Sequence, residues 1–347
     1  MLYIELSRIF MLKNFEYHEF LNSQNFSKIA SVIFAINVPN EDLSKFNLQD
    51  YKIISKNTEF TGLKLKNLKI KNGDIVFCNS SYLSLFFKYL NRLKQITSIT
   101  LITSQSDFAI TKKVFVNKPE SVKKWFAVNV AHEDASLIPL PLGLANNYSP
   151  KNIRINDLVG FKFEKVEKVN KLYVNLRKST NYKERENVEN IFKNKEWAVV
   201  KEPNLSIDEY ISDLNKYKFI FCPWGNGFDT HRIWEALYCG SFPITKSHVG
   251  LSFNNLPIIS FENFNDLSIE KLITQSNKLD MNLEALNLKY WDKLIKTEIN
   301  NTEETSESIN EINYLEFLYW NQIKISNFIY SKLKIIKFYF KKLKNLF

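Results

Sequence analysis

Short apolar runs alternate along this chain with stretches whose apolar positions recur every three or four residues, the pattern of strands followed by helices. In the first part, "IASVIFAINV" and "GDIVFCNS" read as buried strands, and "SYLSLFFKYLNRL" carries a helical face at Leu83, Phe86, Phe87 and Leu90. "ITSITLITSQSD" reads as a further strand whose polar end runs from Ser104 to Asp107, and "SVKKWFAVNV" as another. "IPLPLGLANNYSP" is punctuated by Pro139, Pro141, Gly143 and Pro150, which predicts a strand edge and loop instead of a helix. After the charged stretch "GFKFEKVEKVNK" the pattern restarts with the strand "LYVNL", so a domain boundary is expected near residue 165. Then come a helix over "NYKERENVENIFKN", a strand in "EWAVVK", and a helix in "SIDEYISDLNKY" with Ser206 as N-cap. The strand "FIFC", the turn-rich "PWGNGFD", the helix "THRIWEALYC" and the strand "FPIT" follow. That helix is expected to start at Asp229 or Thr230 and to end at Gly240. Alternation of this kind predicts an α/β protein with parallel sheets flanked by helices. The expected organisation is two domains, 1–165 and 166–295, then a polar segment 296–313 and a tail 314–347.

Composition narrows the class. At 347 residues and 45% hydrophobic, the chain can build two substantial cores. Cys78, Cys222 and Cys239 are too few and too scattered for a disulfide framework or a zinc site, which points to a reducing, cytoplasmic setting. The first residues carry acids at Glu5, Glu16 and Glu19 and lack the layout of a secretion signal. No apolar stretch reaches the roughly 18 residues of a membrane span.

Charge is uneven. From Tyr314 to Phe347 there are seven Lys against the lone Glu316, so the tail supplies +6 of the formal +10 and leaves +4 for the rest. Lysines mixed with Ile, Leu, Phe and Tyr at helical spacing make a basic amphipathic tail, suited to an anionic membrane surface or to docking on the body. On the first of these, the protein sits peripherally on an inner membrane face. The preceding "KTEINNTEETSESINEIN" reads as a linker or an exposed surface helix. The lysines are not interleaved with a nucleic-acid-binding module, so nucleic acid is not an expected partner.

Three of only eight glycines, Gly225, Gly227 and Gly240, fall in the stretch from Phe219 to Thr245. A glycine loop between strand and helix lets backbone N–H groups approach a phosphate, and the helix start adds partial positive charge. Gly225, Asn226, Gly227 and Thr230 are therefore candidate phosphate-side residues, with His231 and Arg232 as the nearby cations. Asp229 at the cap would compete with an anion for the same N–H groups. Glu235, one turn deeper than His231, is placed to accept hydrogen bonds from sugar hydroxyls; the same carboxylate also suits a structural ion pair with Arg232. His231 and Glu235 lack a third ligand for a metal.

The run "CPWGNGFDTHRIWEALYCGSFPIT" resembles the donor-domain signature of exostosin-like and related bacterial and viral glycosyltransferases. It matches at Cys222, Pro223, Gly225, Asn226, Gly227, Asp229, His231, Arg232, Trp234, Glu235, Ala236, Leu237, Gly240, Pro243 and Ile244, and departs at Trp224, where a basic residue is common. Weaker likenesses in "TSQSDFAI", "KKWFAVNV", "IPLPLGLAN", "LPIISFENFNDL" and "YWDKLI" extend it over roughly residues 75–295. The resemblance implies a GT-B-like architecture: two facing Rossmann-like domains, with the nucleotide sugar on the second and the glycan or lipid-linked glycan acceptor on the first. A UDP- or GDP-linked sugar is the implied co-substrate, with no resident cofactor. None of the twelve aspartates forms a D-x-D pair, which agrees with metal-independent transfer. Arg232 is then the first candidate to stabilise the departing diphosphate, followed by Arg177 and Lys178 after "LYVNL", with Arg185 a lesser one. For the base that takes the acceptor proton, Asp107 is the candidate, with His132 and Glu133 as rivals and Asn129, His132 and Asn146 as acceptor contacts. The alternative is a non-catalytic glycan- or nucleotide-binding protein on the same scaffold.

Overall fold

Apolar runs without alternation belong to strands covered on both faces. A computed structural model describes residues 15–149, 151–163, 167–251, 256–279, 283–297 and 305–325. Its first part contributes β1 (Val32–Pro39), β2 (Tyr51–Lys56), β3 (Phe60–Leu65), β4 (Asn67–Lys71), β5 (Ile75–Asn79), β6 (Ile99–Ser104), β7 (Ile110–Thr111), β8 (Val122–Ala127), β9 (Val130–Ala131) and β10 (Leu137–Pro139). Seven of these form one sheet in the order β10-β8-β6-β5-β1-β3-β2. From β10 to β1 the pairing is parallel, and the β2–β3 hairpin closes the edge antiparallel. Every residue of β5 and β6 is buried, the polar Asn79, Thr100, Thr103 and Ser104 among them.

The second part contributes β11 (Val169–Asn175), β12 (Ala198–Lys201), β13 (Tyr217–Phe221), β14 (Phe242–Lys246) and β15 (Ile259–Phe261). They form a five-stranded sheet, β12-β11-β13-β14-β15, parallel throughout. Helices Ile207–Lys216 and His231–Tyr238 cross over between its strands. Two mainly parallel sheets with helical crossovers make an α/β protein consistent with two Rossmann-like domains. The expected boundary near 165 adjoins residues 164–166, which lie outside the described residues.

Most expected elements form where the pattern places them. Ser206 caps its helix in a capping box with Glu209, and Gly240 follows the helix His231–Tyr238. "NYKERENVENIFKN" departs: it is two short helices, Tyr182–Arg185 and Val188–Phe192, because the Arg185 side chain turns inward onto neighbouring loops. The expected linker departs further. Within it, β16 (Ser306–Asn310) pairs antiparallel with β4, and residues 313–325 continue as a helix on the first sheet's core. Local polarity concealed this, since β16 is an edge strand alternating between exposed and half-buried positions.

The two parts share packing. Phe20, Leu21 and Phe26, from the start of the described chain, lie in one continuous core with Ile233, Trp234, Tyr238 and Trp291. Leu21 N–H donates to the Tyr238 hydroxyl at 2.9 Å, and that hydroxyl donates to the Leu286 carbonyl at 2.7 Å. Conversely, Leu315 and Tyr319 from the end of the described chain enter the core of the first sheet. Glu316 is buried there against Lys64, at 2.7 Å, and the Tyr89 hydroxyl donates to it at 3.1 Å.

Candidate functional site

In β11 and β13 the chain leaves neighbouring strands in opposite directions, since β12 lies on one side of β11 and β13 on the other. Such a switch point opens a crevice at the carboxyl ends of the strands. Here it is a cleft of about 430 Å³ that both sheets line. The second sheet supplies Asn175 at the end of β11, Arg177, Thr180 and Arg185 beyond it, and Gly225, Asn226, Gly227, Asp229, Thr230, His231 and Arg232 beyond β13. Facing them are Gln105, Ser106 and Asp107 beyond β6, and Leu142, Asn146, Tyr148 and Lys151 from the loop after β10.

Three arginines meet in this cleft. Arg185 is buried and spans two loops: its Nε donates to the Trp224 carbonyl at 3.0 Å, Nη2 to Pro223 at 3.0 Å and Nη1 to Arg177 at 3.2 Å. Burial, followed by the like charge of Arg232, lowers its guanidinium to about 10. Arg232 donates from Nε to the Tyr210 hydroxyl at 3.0 Å, and Tyr210 donates in turn to Glu235 Oε2 at 3.0 Å. Burial opposes the Arg232 charge, but Tyr210 and Glu235 more than offset it, so the group stays cationic. Arg177 is exposed at the cleft wall. Three cations brought together set up a positive potential suited to a polyanion. At the helix start, Thr230 Oγ1 is buried without a hydrogen-bond partner among the described residues, although it lines the cleft.

The 225–227 loop is held from both sides. Gly225 N–H donates to the Gly227 carbonyl at 3.0 Å, and the Asn181 amide donates to the Gly225 carbonyl at 2.8 Å. A Cβ on Gly227 would lie 2.6 Å from the Asn129 side-chain amide, so any larger residue there would have to displace Asn129, which the first part of the chain brings against the loop. Asn129, at φ 57°, accepts the Asp229 N–H on Oδ1 at 3.0 Å.

Several expected site residues therefore change role. Asn129 is a latch between the two parts and does not line the cleft. Thr230, not Asp229, is the N-cap, and the Asp229 carboxylate is engaged elsewhere: Oδ2 accepts from Leu142 N–H at 2.8 Å and Oδ1 from Trp234 Nε1 at 2.7 Å. Burial pushes its carboxyl up to about 7 against those hydrogen bonds. Glu235 lies beneath the cleft with both oxygens engaged, Oε2 by Tyr210 and Oε1 by Ile153 N–H at 3.1 Å, so it is not placed to accept from a sugar. Lys178 turns away to Glu189 at 2.7 Å. His132 packs 5.1 Å from the Phe115 ring, and both it and Glu133 lie outside the cleft.

Other expected site residues are brought together in one place. Asp107, Arg177, Gly225, Asn226, Gly227, Thr230, His231, Arg232 and Asn146 line the cleft together. Asn146 accepts from Ser23 Oγ at 2.9 Å and donates to the Tyr148 hydroxyl at 2.8 Å. His231 Nδ1 is 2.8 Å from the Gly143 carbonyl, which can only accept, so Nδ1 carries a proton and a neutral ring keeps its lone pair on Nε2. Gly143, at φ 71°, leaves no room for a Cβ, which would come 2.2 Å from the Leu21 carbonyl.

The residues not anticipated are Tyr210 and Gln105, and Arg185 is more central than its helix suggested. Gln105 sits at φ 68° immediately before Ser106 and Asp107, and its amide both accepts from Asn37 N–H at 2.8 Å and donates to the Asn37 carbonyl at 3.0 Å. This pins the start of the Asp107 loop to β1. Among the described residues, no group of three or more His, Cys, Asp and Glu side chains is arranged to hold a metal ion. The chain matches no model of a known protein family and no curated protein.

Proposed function

We propose that this protein is a metal-independent glycosyltransferase of GT-B-like architecture, which moves a sugar from a nucleotide-sugar donor to a glycan acceptor. One observation carries the reading: Arg177, Arg185 and Arg232 converge with the start of the helix His231–Tyr238 at the strand switch point, across a cleft from Asp107 and Asn146. The exostosin-like run from Cys222 to Ile244 supports it independently, because its loop residues are the ones in this cleft. The diphosphate of the donor lies against the arginines and Thr230. The acceptor approaches from the side of Asp107, Gln105 and Asn146.

In the inverting form of this chemistry, the acceptor hydroxyl oxygen forms a bond to the anomeric carbon while the bond from that carbon to the phosphate oxygen breaks. The hydroxyl proton passes to the Asp107 carboxylate, and the nucleoside diphosphate leaves with the electron pair. Arg232 and Arg185 stabilise the charge that develops on it; because their positions are already fixed by Tyr210 and by the 223–224 carbonyls, little reorganisation is needed.

The test is thermal unfolding against UDP, GDP, CDP, dTDP and CMP, with Arg232→Ala as control. A nucleotide at about a hundred times its Kd adds roughly 2.7 kcal/mol to the folded state. One nucleotide should raise the midpoint of the wild type by several degrees and leave the variant unmoved. Asp107→Asn should then keep nucleotide binding and lose sugar release. If the wild type binds a nucleotide yet turns over no donor, the non-catalytic binding protein is the correct reading.

A further inference from the structure

Outside the cleft, the helical segment 313–325 carries two faces with different chemistry. Its inner face is committed. Leu315 and Tyr319 are buried in the core of the first sheet, the Tyr319 hydroxyl donates to the Ser81 carbonyl, and the Tyr319 and Trp320 rings pack 6.1 and 6.2 Å from Tyr82. Glu316, on the same face, spends its charge inward on Lys64 and on Lys52, at 2.7 and 3.0 Å.

The outer face holds four large apolar side chains in water: Tyr314 is 68% exposed, Phe317 63%, Leu318 39% and Ile325 59%. Their spacings of three, four and seven residues place them on one stripe of the helix. Exposing these groups together is costly unless something covers them. Charge indicates what that is. Beyond Glu316 the sequence contains no Asp or Glu, whereas it carries Lys324, Lys332, Lys334, Lys337, Lys341, Lys342 and Lys344. Residues 326–347 lie outside the described residues. An apolar stripe with seven lysines and no acid after Glu316 in sequence matches the boundary of an anionic bilayer, where acyl chains take the stripe and headgroup phosphates take the lysines.

We propose that the Tyr314–Phe317–Leu318–Ile325 face docks this protein peripherally onto an anionic lipid surface. The proposal goes beyond sugar transfer and does not depend on it. Buried Leu315, Glu316 and Tyr319 fasten the docking element to the first sheet, so the body is held against the lipid by a fixed helix and not by a loose tether. Among the described residues no helix is long and apolar enough to cross a membrane, and surface docking requires none.

The full chain is sedimented with vesicles of phosphatidylcholine alone and of phosphatidylcholine mixed with phosphatidylglycerol, at low and high salt. Binding should require phosphatidylglycerol and weaken with salt. A lysine near an anionic surface is worth about a fivefold factor, so replacing Lys332, Lys334 and Lys337 together by Gln should weaken binding on the order of a hundredfold. Phe317→Ser with Leu318→Ser should weaken it tenfold or more without lowering the thermal midpoint, because both side chains are exposed. Equal binding to neutral vesicles, no binding to either kind, or binding untouched by both sets of substitutions would overturn the proposal. So would self-association in the absence of vesicles that the Phe317/Leu318 variant abolishes, since the stripe would then cover a second copy of the chain.

Discussion

Asp229 illustrates how a residue's type can be legible while its partner is not. Its position before a helix suggested a cap, but the carboxylate serves Leu142 and Trp234, one of them 87 residues away in sequence. Nothing local announces such a contact. The same is true of Gly227, which lines the cleft and against which the Asn129 side chain also packs. The buried carboxyl of Asp229 has a testable consequence. Its folded value of about 7 lies above the roughly 3.9 of an unfolded aspartate, so its contribution to stability is fully present below about pH 4 and is lost as pH rises toward 7. The slope in that window is at most about 1.4 kcal/mol per pH unit. Urea unfolding of wild type and Asp229→Asn between pH 4 and 8 should show their stability difference narrowing or inverting as pH rises. A constant difference would mean that the native carboxyl is already ionised.

At the scale of elements, short apolar-rich runs located β5, β6, β11 and β13, and the cap and glycine signals located the helices Ile207–Lys216 and His231–Tyr238. The hairpin β2–β3 and the strands β4 and β16 were harder to read, since edge strands with charged, alternating sequences depend on their neighbours more than on their composition. Between those two helices lies a coupling that only the three-dimensional arrangement reveals: Arg232 of one, Tyr210 of the other, then Glu235 back on the first. Tyr210 therefore positions the cation that the proposed mechanism relies on. Tyr210→Phe should weaken binding of the nucleoside diphosphate severalfold by calorimetry, and should have little further effect in an Arg232→Ala background. Additive losses in the double variant would show that Tyr210 acts independently of Arg232.

For the whole molecule, the sequence indicated two α/β units and a cleft rich in cations, yet it did not indicate how the chain ends are used. Glu316 looked like the lone acid of a basic tail. It is instead the buried counter-charge of Lys64, which is only 1% exposed. Burial would raise its carboxyl, but hydrogen bonds at the Glu311, Lys64 and Lys52 positions outweigh burial and hold it below the ordinary glutamate value. Its stabilising contribution is accordingly present above about pH 4.3 and fades as pH falls through the lowered folded value. Glu316→Gln leaves Lys64 with only Glu311, at 3.6 Å, as counter-charge and should cost about 3 kcal/mol at neutral pH, read as a lower urea midpoint. A change within a few tenths of that midpoint's ordinary scatter would assign the lysine's charge to Glu311 instead.

The exchange of ends has a further consequence. Phe20, Leu21 and Phe26 complete the core around Trp234 and Trp291, whereas Leu315 and Tyr319 complete the core of the other sheet. Each lobe is thus finished by chain that belongs, in sequence order, to its neighbour. A polypeptide cut near residue 165 should behave as a complementing pair: either fragment alone should aggregate through the apolar surface it can no longer cover, and the two produced together should copurify and recover nucleotide binding. Independent folding of the 166–347 fragment would show that the shared ends embellish the lobes and are not integral to them.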